Sequence, residues 1–299
     1  MPTDIIQWFP GHMAKTRRLI GENLKNVDLV IELLDARIPK SSRNPEIMRL
    51  TEGKPLITLL NKATLADPAE TEKWVRYYTG AGHICLPFDC VAKKGVDRLL
   101  PAVRELMADK LARYAQKGMS GRKLKAMVVG IPNVGKSSLI NLLGGAKKAK
   151  VENRPGVTLT PQWITTKEGL DLMDMPGVLW PRFDDRATGE NLAITGAIKD
   201  DVVEIEALAV ALCHKLRHKL RHRYPTLLCE RYKLDAAVLN DDALDDYELF
   251  CLIGKKRGFL ISGGEVNTER TANTLLDEFR AAKIGKITLD MLPKGETIC

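Results

Sequence analysis

The chain has 299 residues, too many for one average domain and enough for two, and its 44% hydrophobic and 28% charged content allows a sizeable core. No apolar run approaches the roughly 20 residues of a bilayer span. The opening MPTDIIQWFPGH lacks the basic-then-apolar pattern of a signal peptide, so a cytoplasmic protein without a membrane span is expected. The net charge of +8 favours a polyanionic partner. The six cysteines (Cys85, Cys90, Cys213, Cys229, Cys251, Cys299) form no C-x-x-C pair and no zinc-ligand spacing with the histidines, and read as reduced structural thiols.

In chain order, the apolar runs Asp28 to Asp35, Pro55 to Asn61, His83 to Phe88, Lys125 to Gly130 and Leu170 to Asp174 predict strands. Their continuous apolar character suits a parallel sheet covered on both faces, with Pro161 to Lys167 at its edge. Between them, Asn44-Pro45 and Asp67-Pro68 each offer an N-cap followed by proline at the first helical position, and Asp67 with Glu70 resembles a capping box. The alternation predicts a doubly wound, mainly parallel α/β domain over residues 1–188. Beyond it, Ile205, Leu208, Ala209, Leu212, Leu216 and Leu220, then Ala272, Leu275, Leu276 and Phe279, repeat at helical spacing. A mainly helical domain over 189–299 is expected.

The strongest motif is Gly130-Ile-Pro-Asn-Val-Gly135-Lys136-Ser137, a full G-x-x-x-x-G-K-S between a predicted strand and a predicted helix. Its glycines let backbone N–H groups of Asn133, Val134 and Gly135 turn towards phosphates, and the helix start at Lys136, Ser137 and Ser138 adds its positive dipole end. Lys136 suits the β and γ oxygens, and the Ser137 hydroxyl suits magnesium. Downstream, Asp174-Met-Pro-Gly177 ends a strand. There Asp174 is a candidate to hold the metal, and the Gly177 N–H a candidate γ-phosphate sensor. In Arg154-Pro-Gly-Val-Thr158, Thr158 is the candidate that completes the metal shell, with Thr160 as rival.

Guanine-specific P-loop proteins carry an N-K-x-D strand end and a later S-A-K-like turn. The candidates here are Asn61-Lys62-Ala63-Thr64 and Cys90-Val91-Ala92-Lys93, and both precede the P-loop. The order base, base, phosphate, metal, metal is a circular permutation of the usual one.

With those motifs, and with Ile6-Gln-Trp-Phe-Pro-Gly-His-Met-Ala-Lys15, Asp35-Ala-Arg-Ile-Pro39, GIPNVGKS, PGVT, DMPG, Gly254-Lys-Lys-Arg-Gly258 and Ser262-Gly-Gly264, the chain resembles the YlqF/RbgA family of circularly permuted GTPases. The likeness implies a factor for assembly of the large (50S) ribosomal subunit that binds GTP or GDP with Mg2+, hydrolyses GTP, and contacts rRNA in a nucleotide-dependent way; no DNA partner is expected. There are departures. Thr64 stands where the family has aspartate, whose carboxylate accepts from guanine N1–H and the 2-amino group. Losing a charge-assisted bond costs about 1.5–3 kcal/mol, which predicts relaxed guanine selectivity. Asp67 is an alternative carboxylate, although helix capping employs it. Cys90 stands where serine is usual, a milder change, because the Val91 N–H remains to meet the guanine carbonyl.

Val178 occupies the position of the water-orienting glutamine of Ras-like proteins and cannot do that work. The resemblance assigns it to His12, since a histidine can position or deprotonate water near neutral pH. Alternatively, His12 only starts an amphipathic helix with Met13, Ile20, Leu24 and Val27 on one side. Asp35-Ala-Arg37 reads mainly as structural, with a part in organising the switch region as the other option. The basic run His214 to Arg223 is either a solvated helix face or a phosphate-backbone contact, and the acidic stretch Asp241 to Asp246 is placed to neutralise it. Lys255, Lys256 and Arg257, on a glycine-flanked turn, are the better RNA candidates. Two further readings remain: a nucleotide-sensing RNA-binding protein with negligible turnover, and a P-loop kinase, for which no lid or acceptor motif is evident. The small-subunit permuted GTPases are disfavoured, because no Cys/His zinc cluster is present.

Overall fold

The computed structural model describes residues 10–80, 83–144, 161–166, 169–180, 183, 185–241 and 243–293, with side chains from residue 15 onward. In chain order the elements are α1 (Pro10–Leu24), β1 (Leu29–Asp35), α2 (Pro45–Leu50), β2 (Leu56–Asn61), α3 (Pro68–Tyr78), β3 (His83–Pro87), α4 (Val96–Leu106), α5 (Ala108–Gln116), β4 (Leu124–Gly130), α6 (Lys136–Gly144), β5 (Gln162–Thr165), β6 (Leu170–Asp174), α7 (Arg186–Ile194), α8 (Ile205–His214), α9 (Leu227–Tyr232), α10 (Asp246–Lys256) and α11 (Thr268–Arg280). The strands form one sheet in the order β3-β2-β1-β4-β6-β5. All neighbours are parallel except β5, which pairs antiparallel with β6 at the edge. This is the expected α/β fold.

The apolar runs become strands because both sheet faces are covered. Every residue of β1 is buried. Leu29, Ile31 and Leu33 join the larger core, while Val30 packs on the other face with Ile20 and Val27 from the α1 side. Glu32, also buried, is held by the Arg43 guanidinium (3.2 Å) and the Thr58 hydroxyl (3.1 Å). The two Asx-Pro starts behave as predicted: Asn44 Oδ1 accepts from Glu46 N, and Asp67 Oδ1 from Ala69 N and Glu70 N. The capping box at Asp67 does not close, because ion pairs with Lys73 and Arg223 hold the Glu70 carboxylate.

Pairing sets Asp35 beside Asn61 and Leu33 beside Gly130, so three strand ends meet at the carboxyl edge of the sheet. The chain winds outward from β1 in one direction and from β4 in the other. Ligands of open α/β sheets bind at such a reversal point.

The expected 188/189 boundary falls inside α7. Helices α8, α10 and α11 pack together through Leu208, Leu212, Phe250, Ala272, Leu275 and Phe279. After α8 the backbone makes a π-helical turn, Lys215–Lys219. That turn shifts the side-chain phase and brings Lys215 and Arg217 inward, whereas His214, His218, Lys219, Arg221 and His222 stay exposed as expected. Lys215 is buried against Glu190 (2.9 Å), and Arg217 donates to the Leu244 carbonyl and to the Asp241 carbonyl. Asp246 sits between His214 (2.8 Å) and His218 (3.1 Å) and 3.6 Å from the Arg217 guanidinium, so one carboxylate of the acidic stretch faces the run. Lys255 and Lys256 lie in the last turn of α10 rather than on an open turn, because Gly254 packs inside that helix against Thr271 and Val266. Lys255 and Lys256 are exposed, whereas Arg257 is paired with Glu278 (2.8 Å).

The chain then returns to the α/β unit. Leu289 N donates to the Arg37 carbonyl (2.8 Å), and the buried Asp290 carboxylate accepts from Ser41 N (2.7 Å), Ser41 Oγ (2.7 Å) and Asn191 Nδ2 (2.8 Å).

Candidate nucleotide site

The residues predicted for the base and for the phosphates meet through one side chain. Asn61, at the end of β2, donates from Nδ2 to the Val134 carbonyl of the phosphate loop (2.6 Å) and accepts at Oδ1 from Cys90 N (3.0 Å). The Cys90 thiol points to the Gly135 carbonyl (3.9 Å), and burial pushes its pKa up to about 12, so it stays a neutral thiol. Ala63 N donates to the Phe88 carbonyl (3.0 Å), tying the two base segments side by side. Around this junction opens a cleft of about 1030 Å³ lined by Asn61, Thr64, Cys90, Val91, Asn133, Gly135 and Ser138. The reversed motif order therefore folds into one continuous wall.

The phosphate loop takes the shape its glycines permit. Gly135 has φ +106 and Asn133 lies in the left-handed region at φ 56. A Cβ on Gly135 would run into Asn61 Nδ2. Gly135→Ala is thus expected to lower guanine-nucleotide affinity about tenfold to a hundredfold, from backbone strain of about 1–3 kcal/mol. A fluorescent-nucleotide titration checks it, and unchanged affinity would mean that the loop relaxes around the methyl.

Lys136 is buried, and its ammonium donates to the Gly130 (3.1 Å) and Ile131 (2.7 Å) carbonyls. Burial lowers its pKa to about 8, against the opposing pull of Asp174. Gly177 lies so close that an added Cβ would sit 2.8 Å from Lys136 Nζ and from Pro132 Cα, which places the predicted γ-phosphate sensor on the loop itself. Ser137 Oγ stands 3.4 Å from Asp174 Oδ2. A hydroxyl and a carboxylate so placed are hard oxygen donors of the kind magnesium takes, and they fit that ion. Thr158 and its rival Thr160 lie outside the described residues. His12 sits in the first turn of α1, and its side chain lies outside them as well.

Among the other placements, that of Val91 differs from the sequence reading. The Val91 N–H, expected to face the guanine carbonyl, donates to Asp89 Oδ1 (3.0 Å), while the Val91 side chain is 88% exposed. The Lys62 ammonium is engaged with Asp35 (3.0 Å). Asp67 is occupied by its helix cap and by the Tyr224 hydroxyl (3.0 Å), so it does not supply the missing carboxylate. The Asn133 side chain donates to the Gly196 carbonyl (2.8 Å), past the end of α7, linking the phosphate loop to the helical layer. The Val178 side chain is buried in the main core, which removes it from any contact with water at the site.

Sequence reasoning missed Asp89. It follows β3, is 3% exposed and lines the cleft. The only local signal was an acidic residue next to Cys90. For Arg37, structural on one reading and an organiser of the switch region on the other, the contacts within the fold are these. Burial would raise the Asp35 carboxyl, but the Arg37 and Lys62 cations beside it hold it well below the usual carboxylate range. From there Arg37 reaches the carbonyls of Arg280 (3.2 Å) and Thr195 (3.4 Å).

Known proteins are similar to this chain along most of their length. A family model described as a 50S ribosome-binding GTPase matches residues 125–225. The ribosome biogenesis GTPase A of Priestia megaterium is 48% identical over 286 residues, covering 95% of this chain and 96% of that protein. The mitochondrial ribosome-associated GTPase 1 of Mus musculus is 35% identical, covering 96% and 90%. Among solved structures, GDP-bound TM YlqF matches with a TM-score of 0.61 at 23% identity, covering 91% of this chain and 97% of that one. The GNP-bound YlqF from T. maritima gives 0.59 at 23%, covering 92% and 97%. At that identity the structural likeness is one of fold. With relatives this similar from end to end, the chain belongs to the ribosome biogenesis GTPase A family.

Proposed function

We propose that this GTPase acts in assembly of the large (50S) ribosomal subunit, hydrolysing Mg2+-bound GTP there and contacting rRNA in a nucleotide-dependent way. The observation that carries the nucleotide half is the Asn61 side chain, which joins the base segments to the phosphate loop. The family model's description and the relatives' names support the ribosomal half.

In this reading the backbone N–H groups of Asn133 to Ser138 and the Lys136 ammonium hold the phosphates, so that charge developing at the β–γ bridge meets donors already in place. Ser137 and Asp174, with Thr158, hold the magnesium, whose chemistry is to neutralise phosphate charge. Asn61, Lys62, Ala63, Thr64, Cys90 and Val91 form the base end. His12 orients the attacking water, a task closed to the buried Val178. The Gly177 N–H reads the γ-phosphate, and the chain runs from there through Trp180 and Phe183 into α7, while Asn133 grips Gly196 directly. A change at the phosphates thereby has two covalent or hydrogen-bonded routes to the helical layer. On that layer Lys255 and Lys256, exposed at the end of α10, are the cations best placed for rRNA phosphates, with Arg257 beside them.

The test is turnover with and without purified large subunits, paired with cosedimentation under GTP, GDP and ATP analogues. The expected result is subunit-stimulated GTP hydrolysis and GTP-dependent pelleting. His12→Ala is expected to leave GTP binding near normal and to cut stimulated turnover about 100-fold or more, the range for a positioned general acid–base group. Equal losses in binding and turnover would assign His12 to folding. Pelleting without stimulated turnover would favour a nucleotide-sensing RNA binder instead.

A further inference from the structure

The N-K-x-D strand end here closes on Thr64, a neutral residue, where guanine selection calls for a carboxylate. We infer that Asp89 restores guanine selection from the neighbouring turn by fixing the polarity of the Thr64 hydroxyl. The inference rests on the guanine-nucleotide reading of the cleft and deepens it.

Four bonds define the arrangement. Asp89 Oδ1 accepts from Val91 N (3.0 Å) and Ala92 N (2.8 Å). Asp89 Oδ2 accepts from Thr64 N (3.3 Å) and from the Thr64 hydroxyl. An ionised carboxylate only accepts, and a backbone N–H only donates, so each bond has one possible direction. The Thr64 hydroxyl owns a single proton, and that proton is committed to Asp89. What it can offer the cleft is its remaining lone pairs.

Guanine and adenine differ in what they present to such a group. The guanine edge carries two donors, N1–H and the 2-amino group. Adenine carries an unprotonated N1, an acceptor. A hydroxyl locked as an acceptor takes the guanine N1–H and meets the adenine N1 lone pair to lone pair. An unlocked threonine could turn its proton outward and serve either base. Thr64 is therefore the group that touches the base, and Asp89 is a positioning residue acting through it. The negative charge usual in this motif is retained, one side chain further from the ligand.

Asparagine at position 89 discriminates this role from simple turn capping. Two backbone donors hold Oδ1, so the amide oxygen stays with them and Nδ2 takes the place of Oδ2. Facing a donor, the Thr64 hydroxyl must accept from it and turn its own proton into the cleft. In titrations of the full chain with fluorescent methylanthraniloyl-GDP and methylanthraniloyl-ADP, Asp89→Asn is expected to lower the GDP-over-ADP preference about 10- to 100-fold, the range for one charge-assisted bond. Thr64→Asp alone would set two carboxylates against each other and weaken GDP binding, whereas Thr64→Asp with Asp89→Asn should recover it. Thr64→Val, of equal size but without the hydroxyl, should lose the preference, and Thr64→Ser should keep it.

Three results overturn the inference: an unchanged preference in Asp89→Asn, an unchanged preference in Thr64→Val, or a Thr64→Asp chain that binds GDP more tightly whichever residue stands at 89. A wild-type chain that takes up neither nucleotide would bring down the guanine reading itself. Selective wild type with equally selective variants would remove only the part given to Asp89.

Discussion

Lys136→Ala is expected to produce a folded protein that hydrolyses no measurable GTP. The ammonium lies in the phosphate loop, buried, beside Gly177 and within the field of Asp174. Truncating one buried, hydrogen-bonded charge that faces a charged partner costs about 2–5 kcal/mol, or roughly 30- to 5,000-fold in nucleotide affinity. Loss of a preorganised donor to the transferring phosphoryl group removes about a further 100- to 1,000-fold in turnover at saturation. The check pairs a GDP titration with single-turnover hydrolysis at GTP concentrations above the variant's own dissociation constant. A thermal melt guards against misreading, because Lys136 also ties down the Gly130 and Ile131 carbonyls. Retention of wild-type turnover would mean that the loop does not hold phosphates.

Arg37→Ala should be the most destabilising change outside the phosphate loop, at about 3–5 kcal/mol, the cost of leaving one partner of a buried ion pair behind. Arg37 is 2% exposed and bonds both oxygens of the Asp35 carboxylate (2.9 and 2.7 Å). Without it Asp35 keeps the backbone N–H of residue 37 (3.0 Å) and Lys62 (3.0 Å), which is drawn from the base segment. The carbonyls of Thr195 and Arg280 lose a donor at the same time, so the helical layer loosens from the sheet edge. Denaturant unfolding measures the loss. Arg37→Lys should recover little of it, since an ammonium cannot reproduce the planar fork. A loss below about 1 kcal/mol would show that water or another cation fills the position.

What was legible in the sequence followed from local chemistry. Continuous apolar runs gave β1, β2 and β4 because neighbours cover both sides of those strands. The phosphate loop was legible because its glycines and lysine answer to one ligand geometry. Asn44-Pro45 and Asp67-Pro68 were legible because an N-cap and a proline at the helix start act over three residues. Contacts between distant segments were not. Glu70 looked like half of a capping box until Arg223 claimed it. Lys215 and Arg217 looked like surface cations, since a helical wheel assumes the α repeat and the π turn breaks it. The Thr64–Asp89 bond spans 25 residues and the Arg37 bond to Arg280 spans 243, and no periodicity encodes either.

The return of residues 289 and 290 to Arg37 and Ser41 has a bearing on synthesis. Domains fold largely as they emerge, amino end first. Here the sheet and the phosphate loop are made early, yet the loop after β1 obtains its last partners only when residue 290 has left the exit tunnel. A chain made only as far as β6 would thus hold the loop after β1 without these partners, and the loop is pinned once the segment that follows α11 has been added.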